Sequence, residues 1–435
     1  MKHPQFLVFL FYFAALSMGF CQDLITVEET VKVALENNYQ IITASNALKI
    51  DEYGASPGLA GMLPSVQARV VDNNSRIFLA QTRIDGTTQE RNNAINNSFN
   101  YGAALDWTLF DGLRMFANLE ELKENKKLGE AELKQVILTT VGDVMITYYD
   151  LVQQQQQLAA LDSTIRISKQ RVELAQNRFT IGKASKLEVL NAEVDLNTDQ
   201  TLMLRQKELY ANTKIRLNQL MARDLEADFV VAQEIIVDTG LLLPELETSV
   251  IHENPQLLAI QINKRIEELQ LKQIKAARYP TISASTGYNL GETQSTLGFI
   301  TSSNFRGFTY GFGATLNLFD GFNQRRNEKM GELEVTNAQV AIAEQKLGLM
   351  ALLDTTYQTY MTNVSLIDLE AKNETIAKEN LAITVEKFKI GTIPALEFRT
   401  AQLNFINAQV RLSNAMFQAK LSEIVLKQLA GDLSL

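Results

Sequence analysis

The sequence predicts a mainly α-helical chain that also contains four β-strands, arranged as two pairs. Two long helical patterns, at about 111–181 and 320–390, each stop at a glycine and are followed by a further helical pattern. Between the helices, shorter stretches alternate apolar and polar residues with the period of two that is typical of β-strands. Matching motifs also recur 209 residues apart, as Phe179 and Phe388 do. Such self-similarity predicts an internal duplication.

The two glycine stops carry closely similar residues. Phe179 and Gly182 in the first match Phe388 and Gly391 in the second. A helix commonly ends at a glycine that adopts a positive φ angle, and each glycine here precedes another helical pattern. We therefore interpret these segments as the turns of two helical hairpins.

The long helical patterns begin after a second repeated motif. Leu-Phe-Asp-Gly occurs at 109–112 and again at 318–321. Its aspartates, Asp111 and Asp320, are predicted to cap the long helices, because Asp is a preferred N-cap residue. The repeats give the following division of the chain: a signal peptide over 1–21; a first repeat over 22–240, with strands at about 64–72 and 98–110, a helical hairpin at 111–222 and an equatorial segment at 223–245; and a second repeat over 241–435, with strands at about 280–290 and 306–319 and a helical hairpin at 320–430.

The predicted strands have one apolar face and one small, polar face. In a soluble sandwich the apolar face would look inward, whereas in an outer-membrane barrel it contacts lipid and the polar face lines a lumen. We favour the barrel, and we expect the Asn-rich segment at 72–97 to form a polar loop outside the cell. Five aromatic residues on the apolar face are assigned to a lipid-facing belt: Tyr101, Trp107, Tyr288, Phe308 and Tyr310.

Four strands are too few to close a barrel in a membrane. Such barrels have at least about eight strands, and an open edge would leave backbone groups unpaired in lipid. The sequence therefore predicts that several copies of the chain share one barrel.

Two further helices are expected to complete the hairpins. The segment 26–63 reads as one helix ended by Pro64, and 246–277 as another ended near Pro280. Helix lengths at 1.5 Å per residue suggest that 246–277 continues the return of the first hairpin, and 26–63 that of the second. On this interpretation the two ends of the chain meet beside 223–245.

Composition argues against several classes of function. A net charge of −9 and a pI near 5.1 disfavour nucleic-acid binding, which needs a basic surface. Only His3, His252 and Cys21 are available for a His-based triad or a His/Cys metal site, and the chain has no phosphate-binding loop. We predict neither an enzyme nor a bound cofactor. The glutamine run at 153–157 is interpreted as a solvated helix face.

The N-terminus has the pattern of a secretory signal. An apolar run from Phe6 to Phe20 is too short to form a stable membrane span, and cleavage after Cys21 would leave Gln22 first. Acylation of Cys21 is the alternative, disfavoured by the bulk of Phe20. No later stretch reaches 18 consecutive apolar residues.

These doubled patterns resemble the TolC-type outer-membrane efflux proteins over essentially the whole mature chain. The resemblance implies a homotrimer with a 12-stranded barrel in outer-membrane lipid of a Gram-negative bacterium. It also implies a helical tunnel through the periplasm, opened at its tip when a periplasmic adaptor and an inner-membrane pump dock. Substrate and pump class are not predicted. The alternative is a periplasmic adaptor or coiled-coil scaffold without a channel, which would normally show a single hairpin between small β domains.

The resemblance also assigns roles to residues near the turns. Family acids that ring the tunnel constriction correspond to Glu397, while the second acidic position is Thr400. Glu188 is the matching residue in the first half, but Ser185 and Glu188 also fit a capping box; Pro394 replaces the serine in the second half. Seven turn residues are expected to contact the adaptor: Thr180, Ile181, Gly182, Lys183, Ile390, Gly391 and Thr392.

Overall fold

The computed structural model of the chain describes residues 24–232, 234–296 and 300–433. The predicted signal peptide and Cys21 therefore lie outside the described residues. Within the described ranges, none of the helices combines the length and apolar character needed to cross a membrane.

The described chain forms two compact units, each built from segments of both halves of the sequence. The first, here called the helical unit, contains the described residues up to Ser45, Leu133–Pro255 and those from Gln345 onward. The second, here called the sheet unit, contains Asn46–Glu132 and Gln256–Glu344.

The predicted class, mainly helical with four long strands, is confirmed. The elements follow in this order: β1 (Leu24–Ile25), α1 (Val27–Asn37), α2 (Tyr39–Gly54), β2 (Ser65–Thr82), β3 (Thr88–Asp111), α3 (Arg114–Thr180), α4 (Lys186–Leu220), β4 (Val230–Val231), α5 (Leu243–Glu253), α6 (Pro255–Ala276), β5 (Thr281–Ser295), β6 (Ser302–Thr315), α7 (Asn323–Ile390) and α8 (Ala395–Leu429). Helices α3 and α7 contain 67 and 68 residues, and α4 and α8 contain 35 each. The order of long helices and strand pairs thus occurs twice.

The long strands form one antiparallel sheet in the order β2-β3-β5-β6. Tyr101 pairs with Leu290, and Tyr288 pairs with Phe308. Directly paired residues of antiparallel strands lie on the same face, so the register places the apolar positions of all four strands together. Strands β2 and β6 each have one strand neighbour in the sheet, which leaves both outer edges unpaired within the described chain.

The Asn-rich segment at 72–97 is not the predicted loop. Its residues extend β2 and β3 into a long hairpin, in which Asn74 pairs with Asn97 and Thr82 with Thr88. Gly86 adopts a φ of 81° in the turn. The prediction was wrong because polar residues dominate this hairpin and its main apolar residues, such as Ile77 and Phe78, are adjacent in sequence. The alternation that marks a half-buried strand is therefore missing.

Strand β6 also ends earlier than its predicted limit at residue 319. Its last pair joins Thr315 to Thr281, the first residue of β5. The residue before Thr281 is Pro280, which has no backbone N–H to donate to a ladder. The partner strand therefore stops, and the apolar residues after Thr315 lie outside the sheet.

Each of the two shorter helical segments, 26–63 and 246–277, is divided by an asparagine. Asn38 separates α1 from α2, and Asn254 separates α5 from α6. The Asn38 amide donates to the Leu220 carbonyl at 2.8 Å, and the Asn254 amide donates to the Leu429 carbonyl at 2.9 Å. These bonds satisfy carbonyl groups at the ends of α4 and α8, which have no partner within their own helices.

These contacts correct the predicted return paths. Helix α2 begins where α4 ends, so it continues the first hairpin. Helix α6 begins after the asparagine that caps α8, so it continues the second hairpin. This is the reverse of the assignment made from helix length. Length alone did not distinguish them, because the two candidate segments have similar lengths.

The core of the helical unit lies around the 223–245 segment. Tyr148 donates its hydroxyl hydrogen to the Ile25 carbonyl at 3.0 Å and accepts from the Ala232 amide at 3.1 Å. Strand β1 pairs in parallel with β4. Leu433, near the end of the described chain, packs against the same hydrophobic cluster as Ile25. Both described ends thus meet beside this segment, as expected.

The glutamine run does not form a solvated face. Gln153 and Gln154 are each 8% exposed. Gln153 donates to Asn414 on α8, and Gln154 donates to Thr213 on α4 at 3.0 Å. Amide hydrogen bonds therefore join three helices in the interior, where the sequence suggested contact with water.

Candidate functional site

The two hairpin turns have the same backbone geometry. Gly182 and Gly391 adopt φ angles of 75° and 85°. The Lys183 amide donates to the Arg178 carbonyl at 2.8 Å, and the Thr392 amide donates to the Lys387 carbonyl at 3.1 Å. Each glycine supplies the left-handed residue that ends a helix by this pattern of bonds.

All seven predicted contact residues are exposed. Ile181 is 66% exposed and Ile390 is 77% exposed. The remaining five share this exposure: Thr180, Gly182, Lys183, Gly391 and Thr392. The turns therefore present two apolar side chains to solvent.

Glu188 is engaged by a neighbour in the same hairpin. Its backbone amide donates to the Ser185 hydroxyl at 3.3 Å, as a helix cap requires. Its carboxylate does not return to the Ser185 backbone as a capping box would; it accepts from Arg178 at 3.4 Å. Half of the predicted box is present, and the carboxylate is held in an ion pair.

Glu397 is placed differently, although it is the matching residue of the second hairpin. Pro394 occupies the N-cap position and provides no side-chain cap. Glu397 is exposed, and its carboxylate forms no hydrogen bond or ion pair with the described residues. It lines a groove of about 500 Å³ together with Lys387 and Thr400. The Thr400 hydroxyl donates to the Leu396 carbonyl at 3.0 Å within its own helix. Of the two matching glutamates, Glu188 and Glu397, only Glu397 therefore has a carboxylate without a partner in the described chain.

An aromatic pair joins the two hairpins close to the turns. The Phe388 and Phe398 rings stack with centroids 4.9 Å apart, and both residues are at most 3% exposed. The Arg178 guanidinium of the first hairpin lies 5.7 Å from the Phe388 centroid. Arg178 thus contacts both Glu188 and the aromatic pair of the second hairpin.

A buried charged network, which was not predicted from the sequence, also joins the hairpins. Arg399 on α8 donates to both carboxylate oxygens of Asp199 on α4, at 2.8 and 3.0 Å. Ser168 donates to the same carboxylate at 2.6 Å. Gln402 donates to the Ser168 hydroxyl at 2.9 Å and to the Thr164 carbonyl at 3.2 Å.

A second pair adjoins this network. Arg171, which is 4% exposed, forms an ion pair with Asp195, and the Arg399 guanidinium lies 3.7 Å from the Asp195 carboxylate. Two arginines and two aspartates therefore balance in charge. Buried positions of α3 at 164, 168, 171 and 175 follow the spacing of a helix core. Three of these core positions carry polar residues, Thr164, Ser168 and Arg171. This pattern is the sequence signal from which the network could have been predicted.

In the sheet unit, the five aromatic belt residues lie on one face of the sheet. Pairing joins Tyr288 to Phe308 and Trp107 to Ala284. Tyr101 and Tyr310 occupy positions of the same parity, and all five are between 41% and 79% exposed. The opposite face carries small and polar residues, such as Gly102 paired with Asn289.

The two predicted capping aspartates lie at the starts of the long helices. The Asp111 carboxylate accepts from the Met115 amide at 2.9 Å, and the Asp320 carboxylate accepts from the Gln324 amide at 2.6 Å. Each bond satisfies a backbone donor in the first turn of its helix. In the described part of the chain, no group of three or more His, Cys, Asp and Glu side chains is arranged to hold a metal ion.

Comparison with known proteins gives a consistent family match. The model of the outer membrane efflux protein family matches residues 30–223 and 248–432. The probable efflux pump outer membrane protein TtgC of Pseudomonas putida is 21% identical over 417 residues, covering 93% of this chain and 82% of the relative. An uncharacterized protein of Haemophilus influenzae is 22% identical over 416 residues, covering 93% and 87%.

Solved structures share the fold. The CmeC outer membrane channel of Campylobacter jejuni aligns with a TM-score of 0.78 at 17% identity, covering 93% of this chain and 85% of that one. The outer membrane protein VceC of Vibrio cholerae aligns with a TM-score of 0.76 at 15% identity, covering 93% and 96%.

Proposed function

Because the chain belongs to the outer membrane efflux protein family, and is thus a protein of the outer membrane, we propose that three copies of it form the passive exit duct of a tripartite efflux or secretion system. In this proposal the strands of the three copies make one 12-stranded barrel in the outer membrane. The helices continue the duct through the periplasm. A periplasmic adaptor and an inner-membrane pump open its tip and supply the driving force.

The open sheet carries this proposal. Strands β2 and β6 each leave one edge unpaired in the described chain, and one face of the sheet is apolar and aromatic. Unpaired backbone groups are costly in lipid. A further copy can pair β6 with β2 and remove this cost, and three copies bring twelve strands, above the smallest membrane barrels. A periplasmic scaffold would leave the aromatic face in water without a function.

We further propose that Glu397 lines the constriction at the tip. Its carboxylate has no partner in the described chain, whereas the Glu188 carboxylate is held by Arg178. A ring of three free carboxylates favours cations in a narrow pore. The exposed turns, with Ile181 and Ile390 at their tips, are the proposed adaptor contact.

The duct is tested with the full chain expressed in a Gram-negative host. We expect a heat-modifiable trimer that fractionates with the outer membrane, requires detergent and forms discrete conductance steps in a planar bilayer. A water-soluble monomer without conductance would refute the duct and support the scaffold.

The adaptor contact is tested by placing a photo-crosslinking amino acid at Ile390 and co-expressing a periplasmic adaptor. We expect a covalent adduct at Ile390 and none at Phe308 on the sheet. Equal yields at both positions, or no adduct at Ile390, would contradict the proposed contact.

A further inference from the structure

Two bulky apolar residues adopt a backbone conformation that normally favours glycine. Leu113 and Phe322 have φ angles of 68° and 62°, and each follows a glycine that also has a positive φ. They are matching residues of the repeated segment, 209 positions apart. Strain of this kind persists where the surrounding structure imposes it, and it is often associated with function.

The strained side chains are not buried by the described chain. Leu113 is 59% exposed and Phe322 is 69% exposed. Two neighbouring aromatic residues are also exposed, Phe116 at 54% and Phe319 at 72%. The Phe319 and Phe322 rings meet edge to face with centroids 5.4 Å apart. The ends of β3 and β6 flank Thr281 at the start of β5. The four exposed apolar residues that follow these strand ends are here called the collar.

The collar is accompanied by cationic side chains. Arg114, Arg325 and Arg326 are exposed in the first turns of α3 and α7. In the described chain, Arg114 and Arg325 form no ion pair, and Arg326 donates to the neutral amide of Asn323 at 3.0 Å.

The acids close to these arginines are already engaged. Asp111 and Asp320 accept from backbone amides of the first helical turns, and Glu328 is held by Arg278. Three guanidinium groups therefore remain for an anionic partner, and arginine suits phosphate because its donors form a planar fork.

Pairing with a second copy of the chain would not cover the exposed side chain of Leu113. This residue follows β3, and β3 has both of its neighbours, β2 and β5, in the same chain. Copies that join at the outer edges of β2 and β6 therefore leave the end of β3 uncovered. Phe322 follows β6. Once a second copy pairs with β6, this strand has two neighbours as β3 does, and Phe322 stays exposed in the same way as Leu113.

Continuity with the aromatic face indicates what covers the collar. Trp107, on that face, lies four residues before Asp111, and its indole donates to the Met62 carbonyl at 2.9 Å. Trp107 thus places the apolar face within six residues of Leu113 in sequence, close to where the charged side chains begin. Apolar and aromatic residues beside arginines are typical of the boundary between hydrocarbon and phospholipid headgroups.

We propose that the collar anchors the protein in the phospholipid leaflet and binds anionic phospholipid headgroups. Leu113, Phe116, Phe319 and Phe322 enter the edge of the acyl region, and the three arginines bind headgroup phosphates. The strain at Leu113 and Phe322 directs their side chains outward to lipid. This inference rests on the proposed function, because it requires the sheet to lie in a membrane.

Trp107 is the single tryptophan of the chain and serves as the reporter. The full-length protein is reconstituted in phosphatidylcholine with increasing fractions of brominated lipid, which quenches tryptophan on contact. Quenching by brominated phosphatidylglycerol is compared with quenching by brominated phosphatidylcholine. We expect the anionic lipid to be preferred at least about threefold at low salt, because each arginine near the surface adds to the attraction of anionic lipid.

The variant Arg114→Gln/Arg325→Gln/Arg326→Gln should reduce this preference to about one. Arg306→Gln, at the opposite end of β6, is the matched control and should retain it. Equal quenching by both lipids in the wild type, or loss of preference in the control, overturns the inference while the sheet still lies in lipid. If neither lipid quenches Trp107, the proposed membrane-embedded sheet fails as well.

Discussion

Arg399 and Asp199 form a buried ion pair with two hydrogen bonds, at 2.8 and 3.0 Å, between helices that are 200 residues apart in sequence. The Asp199 side chain is 2% exposed and that of Arg399 is 11% exposed. Ser168 and Gln402 complete the bonding around the pair. The second hairpin is thereby fastened to the first close to the turns, so any movement that separates them must break these bonds.

Replacing Arg399 by glutamine should destabilise the helical unit strongly. The change leaves the Asp199 carboxylate buried without its cation, and breaking a buried pair in this way costs about 3–5 kcal/mol. Denaturant unfolding of the detergent-solubilised protein measures the loss. The double variant Asp199→Asn/Arg399→Gln should recover part of it, because no unpaired charge remains.

The control for this change is Arg166→Gln. Arg166 on α3 pairs with Asp162 at 3.4 Å, and the two side chains are 69% and 72% exposed. Exposed pairs contribute about 0–1 kcal/mol, so this variant should unfold close to the wild type. If Arg399→Gln and Arg166→Gln lose the same free energy, the buried pair does not hold the hairpins together.

Features that depend on neighbouring residues were predictable from the sequence. Gly182 and Gly391 end their helices as expected, since a left-handed helix end selects glycine locally. The apolar alternation around Tyr101 and Phe308 identified the strands, because one face of a sheet repeats every second residue. The break at Asn254 had a local signal in Pro255, whereas the equivalent break at Asn38 had none.

Features that depend on distant residues were not predictable. Asp199 meets Arg399 only when α4 and α8 are in one particular register, and no local pattern fixes that register. The Glu188 carboxylate had two candidate roles in the sequence, and the structure adds the Arg178 pair as a third. Helix α2 follows α4 because Asn38 bonds the Leu220 carbonyl, a long-range contact that helix lengths do not encode.

The free carboxylate of Glu397 gives a test of ion selectivity. In Glu397→Gln, we expect the preference of the channel for potassium over chloride to fall at least about twofold, because a ring of charges at a constriction concentrates counter-ions. Reversal potentials of single channels in a salt gradient measure this ratio. Glu188→Gln is the matched control and should leave selectivity unchanged, since that carboxylate is neutralised by Arg178. Unchanged selectivity in Glu397→Gln would remove this residue from the constriction.

Because Arg278 and Glu328 form an ion pair, we expect the stability of the folded protein to depend on pH. Hydrogen bonds from Arg278 lower the pKa of Glu328 from 4.5 to about 2. A group with a lowered pKa stabilises the folded state above its unfolded pKa, and this stabilisation is lost as pH falls through the folded pKa. The contribution is therefore complete above about pH 4.5 and disappears toward pH 2.

Melting temperatures of the wild type and Glu328→Gln should accordingly differ most above pH 4.5 and converge toward pH 2. Glu334→Gln, an exposed position on the same helix, controls for the loss of one negative charge. A gap between wild type and Glu328→Gln that stays constant from pH 6 to pH 2 would contradict the role of this pair.

The variant Leu113→Gly tests whether the strained side chain of Leu113 contacts lipid or stabilises the fold. Glycine adopts a positive φ without steric cost, so relief of strain should raise the free energy of unfolding in detergent by about 1 kcal/mol. Leu105→Gly should lower it, because Leu105 lies in the regular part of β3, paired with Val66 on β2 and Thr286 on β5, and glycine weakens a strand interior. In membranes, Leu113→Gly should show less quenching of Trp107 by brominated lipid than the wild type. A loss of stability in detergent would instead show that Leu113 serves the packing of the sheet unit.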